Sequence, residues 1–217
     1  SRGGTAVEEK TQNYNTTVTS PTEPTRTGYV FGGWYTDNET FSSLYMFSTM
    51  PAENITLYAK WTANTTTKYT EEYYKQSLTG NYERYTYSYQ QGTTGEKAYL
   101  KNYLTMFEGF TFTNTNSILS GTIAGNGSLI LKAYYNRNSY TATFKNNGAT
   151  YDTPKQVKYE GAISKPAADP TKNTDAQYTY TFAGWDPDPT GMTMPANNLT
   201  FNATYTANIK SYDVTFL

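Results

Sequence analysis

Two pairs of adjacent carboxylates, Glu8-Glu9 and Glu71-Glu72, are the first residues to test for chemistry. General acid–base work needs its carboxyls within reach of one substrate. Neighbours on a strand point to opposite faces, so neither pair forms a dyad on extended backbone, and both read as solvated surface. Asp186 and Asp188 flank Pro187 and offer oxygens to a hard cation. Calcium takes six or more oxygens, and prolines interrupt this run, which reads as a stiff turn. The glycines of "GTIAGNGS" (121–128) lack the lysine and following helix of a phosphate loop. Asn126-Gly127 instead predicts a type I′ hairpin turn. The chain has no histidine and no cysteine. That removes the usual proton shuttle near neutral pH, thiol nucleophiles, disulfides and the ordinary zinc ligands. No catalytic residue, metal ligand or cofactor is assigned. The Asn-x-Ser/Thr strings at Asn15, Asn38, Asn54, Asn64, Asn126, Asn198 and Asn202 read as compositional in so Asn- and Thr-rich a chain.

The aromatic residues are the stronger signal. There are 23 Tyr, 10 Phe and 3 Trp in 217 residues, a composition that favours pleated, half-buried surfaces. In "YERYTYSYQ" (82–90), Tyr85, Tyr87 and Tyr89 share one strand face by the two-residue period. Tyr82 is read as exposed with them. That face is either core or a spare aromatic row able to bind a glycan or protein partner. "GYVFGGWYTD" (28–37) and "YTFAGWDPD" (180–188) repeat one phrase, each with a glycine before the tryptophan. A small residue there lets the backbone bend or approach closely. Trp34 and Trp185 then read as core, together with Trp61 and Tyr205. Surface platforms for sugar rings are the alternative.

The elements that must hold these residues repeat as well. Met50–Asn64 matches Met194–Asn208 at Met, Pro, Ala, Asn, Thr, Ala, Thr, Ala and Asn. A weaker middle copy runs through Gly109-Phe110-Thr111-Phe112 and residues 129–136. The pattern predicts three modules, 1–64, 65–138 and 139–209, small enough to bury only modest area each. Expected strands include "KYTEEYY" (68–74), "YERYTYSYQ", "SYTATFK" (139–145), "KQVKYEG" (155–161) and "ITLYAKW" (55–61), with turns at 78–81 and at Asn146-Asn147-Gly148. In 55–61 the alternation puts Ile55, Leu57, Ala59 and Trp61 on one face. The best helical candidate is "GEKAYLKNY" (95–103), with a short turn near 8–11. The fold class is mostly β with a small helical part.

The pattern G-[YF]-x-F-x-G-W followed by M-P-A-x-N-[IL]-T-[LF]-x-A-x-[WY] resembles the Listeria–Bacteroides repeat, the internalin B-repeat. The middle stretch, "YTEEYYKQSLTGNY" with "SGTIAGNGSLILKAYY", is similar to mucin-binding-protein repeats. The resemblance implies three β-grasp-like modules, strands curled around a short helix, in tandem on a secreted or wall-anchored bacterial protein. It implies a non-enzymatic stalk or spacer in an adhesin-like protein. The alternative is a module that binds host glycan, mucin or a surface protein directly.

Charge and hydropathy bound the partners. A net charge of −1 gives no field toward nucleic acid. No run approaches ~18 apolar residues, so membrane insertion is not expected. The ends carry one more expectation. Ser1-Arg2-Gly3-Gly4 matches the turn after a first strand, so module 1–64 reads as lacking that strand. Residues 210–217 match the first strand of a further module, Ser211-Tyr212-Asp213-Val214-Thr215-Phe216 answering Ser139-Tyr140-Thr141-Ala142-Thr143-Phe144. Head-to-tail self-association through Tyr212, Val214 and Phe216 is one expectation this raises; a tail that frays or packs on its own module 139–209 is the plain alternative.

Overall fold

The computed structural model describes residues 2–104 and 107–217; Ser1, where the truncated first module was taken to start, lies outside them. Among the described residues thirteen strands follow one another: β1 (Tyr29–Tyr35), β2 (Tyr58–Ala63), β3 (Thr67–Gln76), β4 (Tyr82–Gly92), β5 (Lys97–Tyr99), β6 (Phe110–Ile118), β7 (Ser120–Thr122), β8 (Ile130–Arg137), β9 (Ser139–Asn146), β10 (Ala149–Thr150), β11 (Lys155–Lys158), β12 (Tyr178–Asp186) and β13 (Leu199–Ile209). Among the described residues there is no helix. The fold is all-β, built from several small sheets. β1 pairs with β2, and β5 with β7; β4-β3-β8-β6 form a four-stranded sheet, and β10-β9-β13-β12 a further one in which β11 also pairs with β9.

The helix expected over 95–103 is a strand instead. Gly95 takes φ +86, and Lys97–Tyr99 pair antiparallel with Ser120–Thr122. Nine residues carry too few internal bonds to hold a helix alone, and the β7 backbone offers a better partner. The type I′ turn at Asn126-Gly127 is also corrected. The Gly127 N–H donates to the Ala124 carbonyl at 2.9 Å, so Gly125 and Asn126 are the central pair, and neither has positive φ. β7 and β8 do not pair with each other. The turn at Asn147-Gly148 does take the I′ form, with φ +49 and +81, returning β9 into β10 at Ala149↔Asn146.

The chain divides into two compact units. The first comprises Ser1–Glu72, Thr86–Lys101 and Ser117–Ala133. Its buried side chains include Val18, Trp34, Ala59, Leu100, Ile123 and Leu131. The second comprises Tyr73–Tyr85, Asn102–Asn116 and Tyr134–Leu217. One of its cores gathers Ala142, Phe144, Ile163, Trp185, Met194 and Phe201. β9 is central there. It pairs parallel with β13, from Leu199↔Ala142 to Asn202↔Lys145, and antiparallel with β11, from Lys155↔Ala142 to Lys158↔Ser139. β11 stops short of the expected 161 because Glu160 turns the backbone at φ +61.

The expected strand 55–61 starts only at Tyr58. Ile55 is exposed and Leu57 half-buried. The reason is pairing. The matching residues 199–202 are extended against β9, whereas β2 pairs only with β1 among the described residues.

Candidate functional site

The duplicated aromatic phrase resolves into one piece of geometry built twice. In β1, Phe31 pairs with Trp61 and Trp34 with Ala59, so one extra residue is accommodated between them. In β12, Phe182 pairs with Tyr205 and Trp185 with Ala203, with the same extra residue. On a regular strand, residues three apart face opposite sides. The bulge brings Phe and Trp to one side. Their rings meet edge-on at 5.5 Å for Phe31–Trp34 and 5.4 Å for Phe182–Trp185. Trp61 and Tyr205, both half-buried, complete the two clusters at 5.5 and 5.9 Å from Phe31 and Phe182. The bulge demands positive φ, and Gly33 (+107) and Gly184 (+135) supply it. Trp34 is 8% exposed and Trp185 7%, so neither indole presents an open face for stacking. Trp185 lies against Phe144 at 4.9 Å, and Phe144 stacks on Phe201 at 4.8 Å.

After each tryptophan an aspartate orders the loop. Asp37 accepts hydrogen bonds from the N–H groups of Thr40, Phe41, Ser42 and Ser43 and from the Thr40 hydroxyl, at 2.6–3.1 Å. Desolvation pushes its carboxyl up, but the bonds from Ser43, Thr40 and Phe41 outweigh it and hold the group at about 2. Asp188 accepts from the hydroxyl and N–H of Thr190, which lower its carboxyl below the ordinary range. These carboxylates are turn anchors. Among the described residues no group of three acidic side chains could hold a metal ion. No helix there is long and apolar enough to cross a membrane, which leaves strand-built spans aside.

The tyrosines of β4 have different surroundings. Tyr85 is capped by the Lys75 ammonium, 3.5 Å from the ring centroid, and meets Phe107 edge-on at 5.2 Å. Tyr87 and Tyr89 are 51% and 68% exposed, with rings edge-to-face at 5.5 Å. Tyr82, read as exposed, is half-buried. Its ring packs on Tyr134 and its hydroxyl donates to Asn136. The Glu71-Glu72 pair is likewise not solvated. Both side chains are buried. Glu71 accepts from Ser88 and Gln90 at 3.5 and 3.4 Å, and Glu72 lies 3.9 Å from the Lys132 ammonium. β3 is an inner strand between β4 and β8, and these two neighbours supply the partners: Ser88 and Gln90 from β4, Lys132 from β8. The C-terminal stretch 211–217 is exposed throughout, Phe216 at 92%. The Tyr212 hydroxyl donates to the Ala176 carbonyl at 2.6 Å.

The short linkers at 64–67 and 136–139 lead one to expect neighbouring elements in contact there; what the sequence did not show is how two junctions, one in each unit, are bonded. Asn64 joins β2 to β3. Its N–H donates to the Gly28 carbonyl at 2.8 Å and its carbonyl accepts from Thr94 N–H at 2.9 Å. Asn138 joins β8 to β9. Its N–H donates to the Gly109 carbonyl at 3.0 Å and its carbonyl accepts from Tyr159 N–H at 2.8 Å. Each asparagine thus ties the glycine that opens an aromatic strand to the turn of the following elements. At the first junction backbones touch directly. A Cβ on Gly125 would stand 2.2 Å from the Thr27 carbonyl oxygen, and one on Gly28 would stand 2.4 Å from Gly125 Cα. The buried hydroxyls of Thr67 and Thr94 meet beside them at 2.7 Å. At the second, a Cβ on Gly109 would overlap the Tyr159 ring at 2.3 Å. Arg137 closes that junction by donating to the carbonyls of Gln76 and Tyr159, both at 2.9 Å, and to the Glu160 carboxylate at 2.5 Å. Its guanidinium lies 4.8 Å over Phe110. The signal was present as an asparagine just after the closing strand, Asn64 after β2 and Asn138 after β8.

Residues 1–60 and 140–214 match the Listeria-Bacteroides repeat domain. The match covers more than half of the chain, which belongs to that family. A "Putative membrane protein" of Evansella cellulosilytica is 28% identical over 187 residues, covering 86% of this chain and 27% of the relative. Internalin H of Listeria monocytogenes is 28% identical over 204 residues, covering 89% of this chain and 22% of the relative. The chain therefore spans about a quarter of the length of these curated relatives. A solved structure, Streptococcal High Identity Repeats in Tandem (SHIRT) domains 3-4 from a cell surface protein, covers 67% of this chain and all of its own, with 16% identity and a TM-score of 0.24. That superposition is too poor to inform the fold. The chain is a repeat segment related to bacterial cell-surface proteins.

Proposed function

We propose that this segment is a non-catalytic spacer outside the bacterial cell, one stretch of a stalk in an adhesin-like protein. It would consist of a module within 1–64, a mucin-binding-protein-like module 65–138 and a module 139–209, all of β-grasp type. The observation that carries the reading is the recurring junction at Asn64 and Asn138. A spacer sets distance only if its joints resist bending, and a flexible linker of a few residues would let the ends wander. Here each joint has two backbone hydrogen bonds on a single residue, with glycine positions that allow direct contact. Repetition of such units adds reach without new surface chemistry. The membership of the repeat family and the name Internalin H support an extracellular setting.

Spin labels at Thr22 and Gln91, both exposed and both in the first unit, test this across the Asn64 junction. One narrow distance distribution is expected. A broad or multimodal distribution would remove the stiff-spacer reading. A second reading rests on the exposed rings of Tyr87 and Tyr89, as a contact surface for host glycan or mucin. Saturable glycan-array binding abolished by Tyr87→Ala/Tyr89→Ala would favour it.

A further inference from the structure

The two copies of the aromatic strand differ along their free edge. β1 and β12 are both end strands of their sheets. On an antiparallel ladder the backbone groups of successive residues point alternately toward the partner strand and away from it. On β1 the outward groups are engaged at both ends. Tyr29 N–H donates to the Arg26 carbonyl at 2.9 Å. At the other end residues 43–45 lie alongside, with Leu44 opposite Tyr35. There Tyr45 N–H donates to the Trp34 carbonyl at 2.7 Å, and Thr36 N–H to the Ser43 carbonyl at 3.1 Å. The Leu44 side chain covers the bulge, its Cδ1 standing 2.9 Å from the place of a Cβ on Gly33. Asp37 fixes this segment, its Oδ2 accepting from the N–H groups of Ser42 and Ser43.

β12 has the same bulge and the same register and lacks the cover. The stretch from Trp185 to Met194 is shorter than that from Trp34 to Met50 and holds no counterpart of 43–45. The start of the β12 edge is closed by Asp175, whose N–H donates to the Tyr178 carbonyl at 3.1 Å and whose Oδ1 accepts from Tyr178 N–H at 2.7 Å. Its end is set by Pro187, which has no N–H to offer. Between these limits the register turns Tyr180, Phe182 and Trp185 outward, and among the described residues none of the three has a backbone bond on that side. A Cβ placed on Gly184 would meet nothing within 4 Å, where Leu44 fills the same place over Gly33. Asp188 stands where Asp37 stands. Its Oδ1 accepts from Thr190, and its Oδ2 makes no hydrogen bond among the described residues. Asp186 beside it is exposed. No residue from Tyr178 to Trp185 is charged, so this edge lacks the charged side chains that commonly keep an edge strand from pairing.

We propose that the β12 edge from Tyr180 to Trp185 is a docking site for an extended segment of a partner protein, one that carries a basic residue two positions before an aliphatic one. The chain itself shows what fits, since residues 42–45 occupy this position on β1. A guest strand in the same register runs antiparallel to β12. One of its N–H groups meets the Trp185 carbonyl, as Tyr45 meets that of Trp34. The residue before that one lies opposite Asp186 and lays its side chain over Gly184, as Leu44 does over Gly33. Two positions further back the guest passes Asp188 and Asp186, where a Lys or Arg pairs with the exposed carboxylates. Backbone bonds supply the affinity, and the hollow over Gly184 together with the two carboxylates supplies the selectivity. This surface adds a partner to the spacer and does not depend on the spacer reading.

The probe is the synthetic peptide Lys-Ser-Leu-Tyr-Thr-Val-Thr, added to the whole chain. One added strand binds weakly, so the titration runs to about 1 mM. Saturable amide shifts confined to 178–188, with slowed exchange at Tyr180 and Phe182, are the expected result. The peptide N-methylated at its tyrosine has no N–H for the Trp185 carbonyl and should leave the spectrum unchanged. Asp186→Lys, at an exposed position, should weaken the peptide severalfold and strengthen its counterpart Glu-Ser-Leu-Tyr-Thr-Val-Thr. Shifts located elsewhere, equal binding of the N-methylated peptide, indifference to Asp186→Lys, or no saturation by the end of the titration would each overturn the proposal. So would self-association of the chain that protects Tyr180 and Phe182, because a second copy would then be the occupant. None of these outcomes bears on the junctions at Asn64 and Asn138, so the spacer reading stands or falls separately.

Discussion

Gly33 and Gly184 perform the same task in two places, letting one extra residue into an antiparallel ladder so that a phenylalanine and a tryptophan three positions apart share a face. Gly184 has nothing within 4 Å of an added Cβ, and its φ is +135. Gly184→Ala therefore isolates backbone strain from steric overlap. The expected loss is about 1–3 kcal/mol, read as a lowered melting temperature, and an unchanged value would refute the role of φ. Trp185→Ala at the same bulge removes a buried indole and should cost ~3–5 kcal/mol, measured by urea unfolding. Asp37 gives a pH signature. Its folded carboxyl sits at about 2, below the ordinary ~3.9. Its contribution to stability is complete above the unfolded value and lost as pH falls through 2. The carboxyl carbon should titrate near pH 2, together with the amides of Thr40, Phe41, Ser42 and Ser43; a midpoint near 4 would contradict the hydrogen-bond network.

At the scale of elements, β4 and β9 were readable to within a few residues because their side chains alternate, and β3 because it is rich in Thr and Tyr. What failed depended on neighbours. The 95–103 segment has acceptable helix formers but is short, and β7 takes it as a strand. Residues 55–57 alternate well yet stay outside any strand, since a strand needs an edge to pair with. Glu71 and Glu72 looked like surface because their partners, Ser88, Gln90 and Lys132, lie on other strands. The hairpin reading of Asn126-Gly127 missed the Thr27 and Gly28 backbone pressed against Gly125. That contact makes a clean experiment. Gly125 has no positive φ, so its own turn tolerates alanine, and only the Asn64 junction rejects it. Gly125→Ala should broaden the distance distribution between labels at Thr22 and Gln91 while leaving far-ultraviolet dichroism unchanged. An unaltered distribution would show that the backbone contact does not hold the junction.

For the whole molecule, the repeat and its family were legible from quoted motifs, since a duplicated fifteen-residue phrase reports shared ancestry whatever the surrounding structure. The candidate site was less so. The aromatic clusters could be named from sequence, but their bulge could not, because glycine before tryptophan does not reveal register. The junctions could be located from their short linkers, but not their bonding: one asparagine making two backbone bonds leaves no pattern beyond its own recurrence. In the spacer we propose, those junctions hold each glycine that opens an aromatic strand to the elements that follow it. The most direct test is amide hydrogen exchange at Asn64, Thr94, Asn138 and Tyr159, whose N–H groups make the four bonds in question. Stiff joints require these amides to exchange as slowly as the ladder amides of β3 and β13. Exchange as fast as that of the exposed 211–217 amides would contradict the spacer reading.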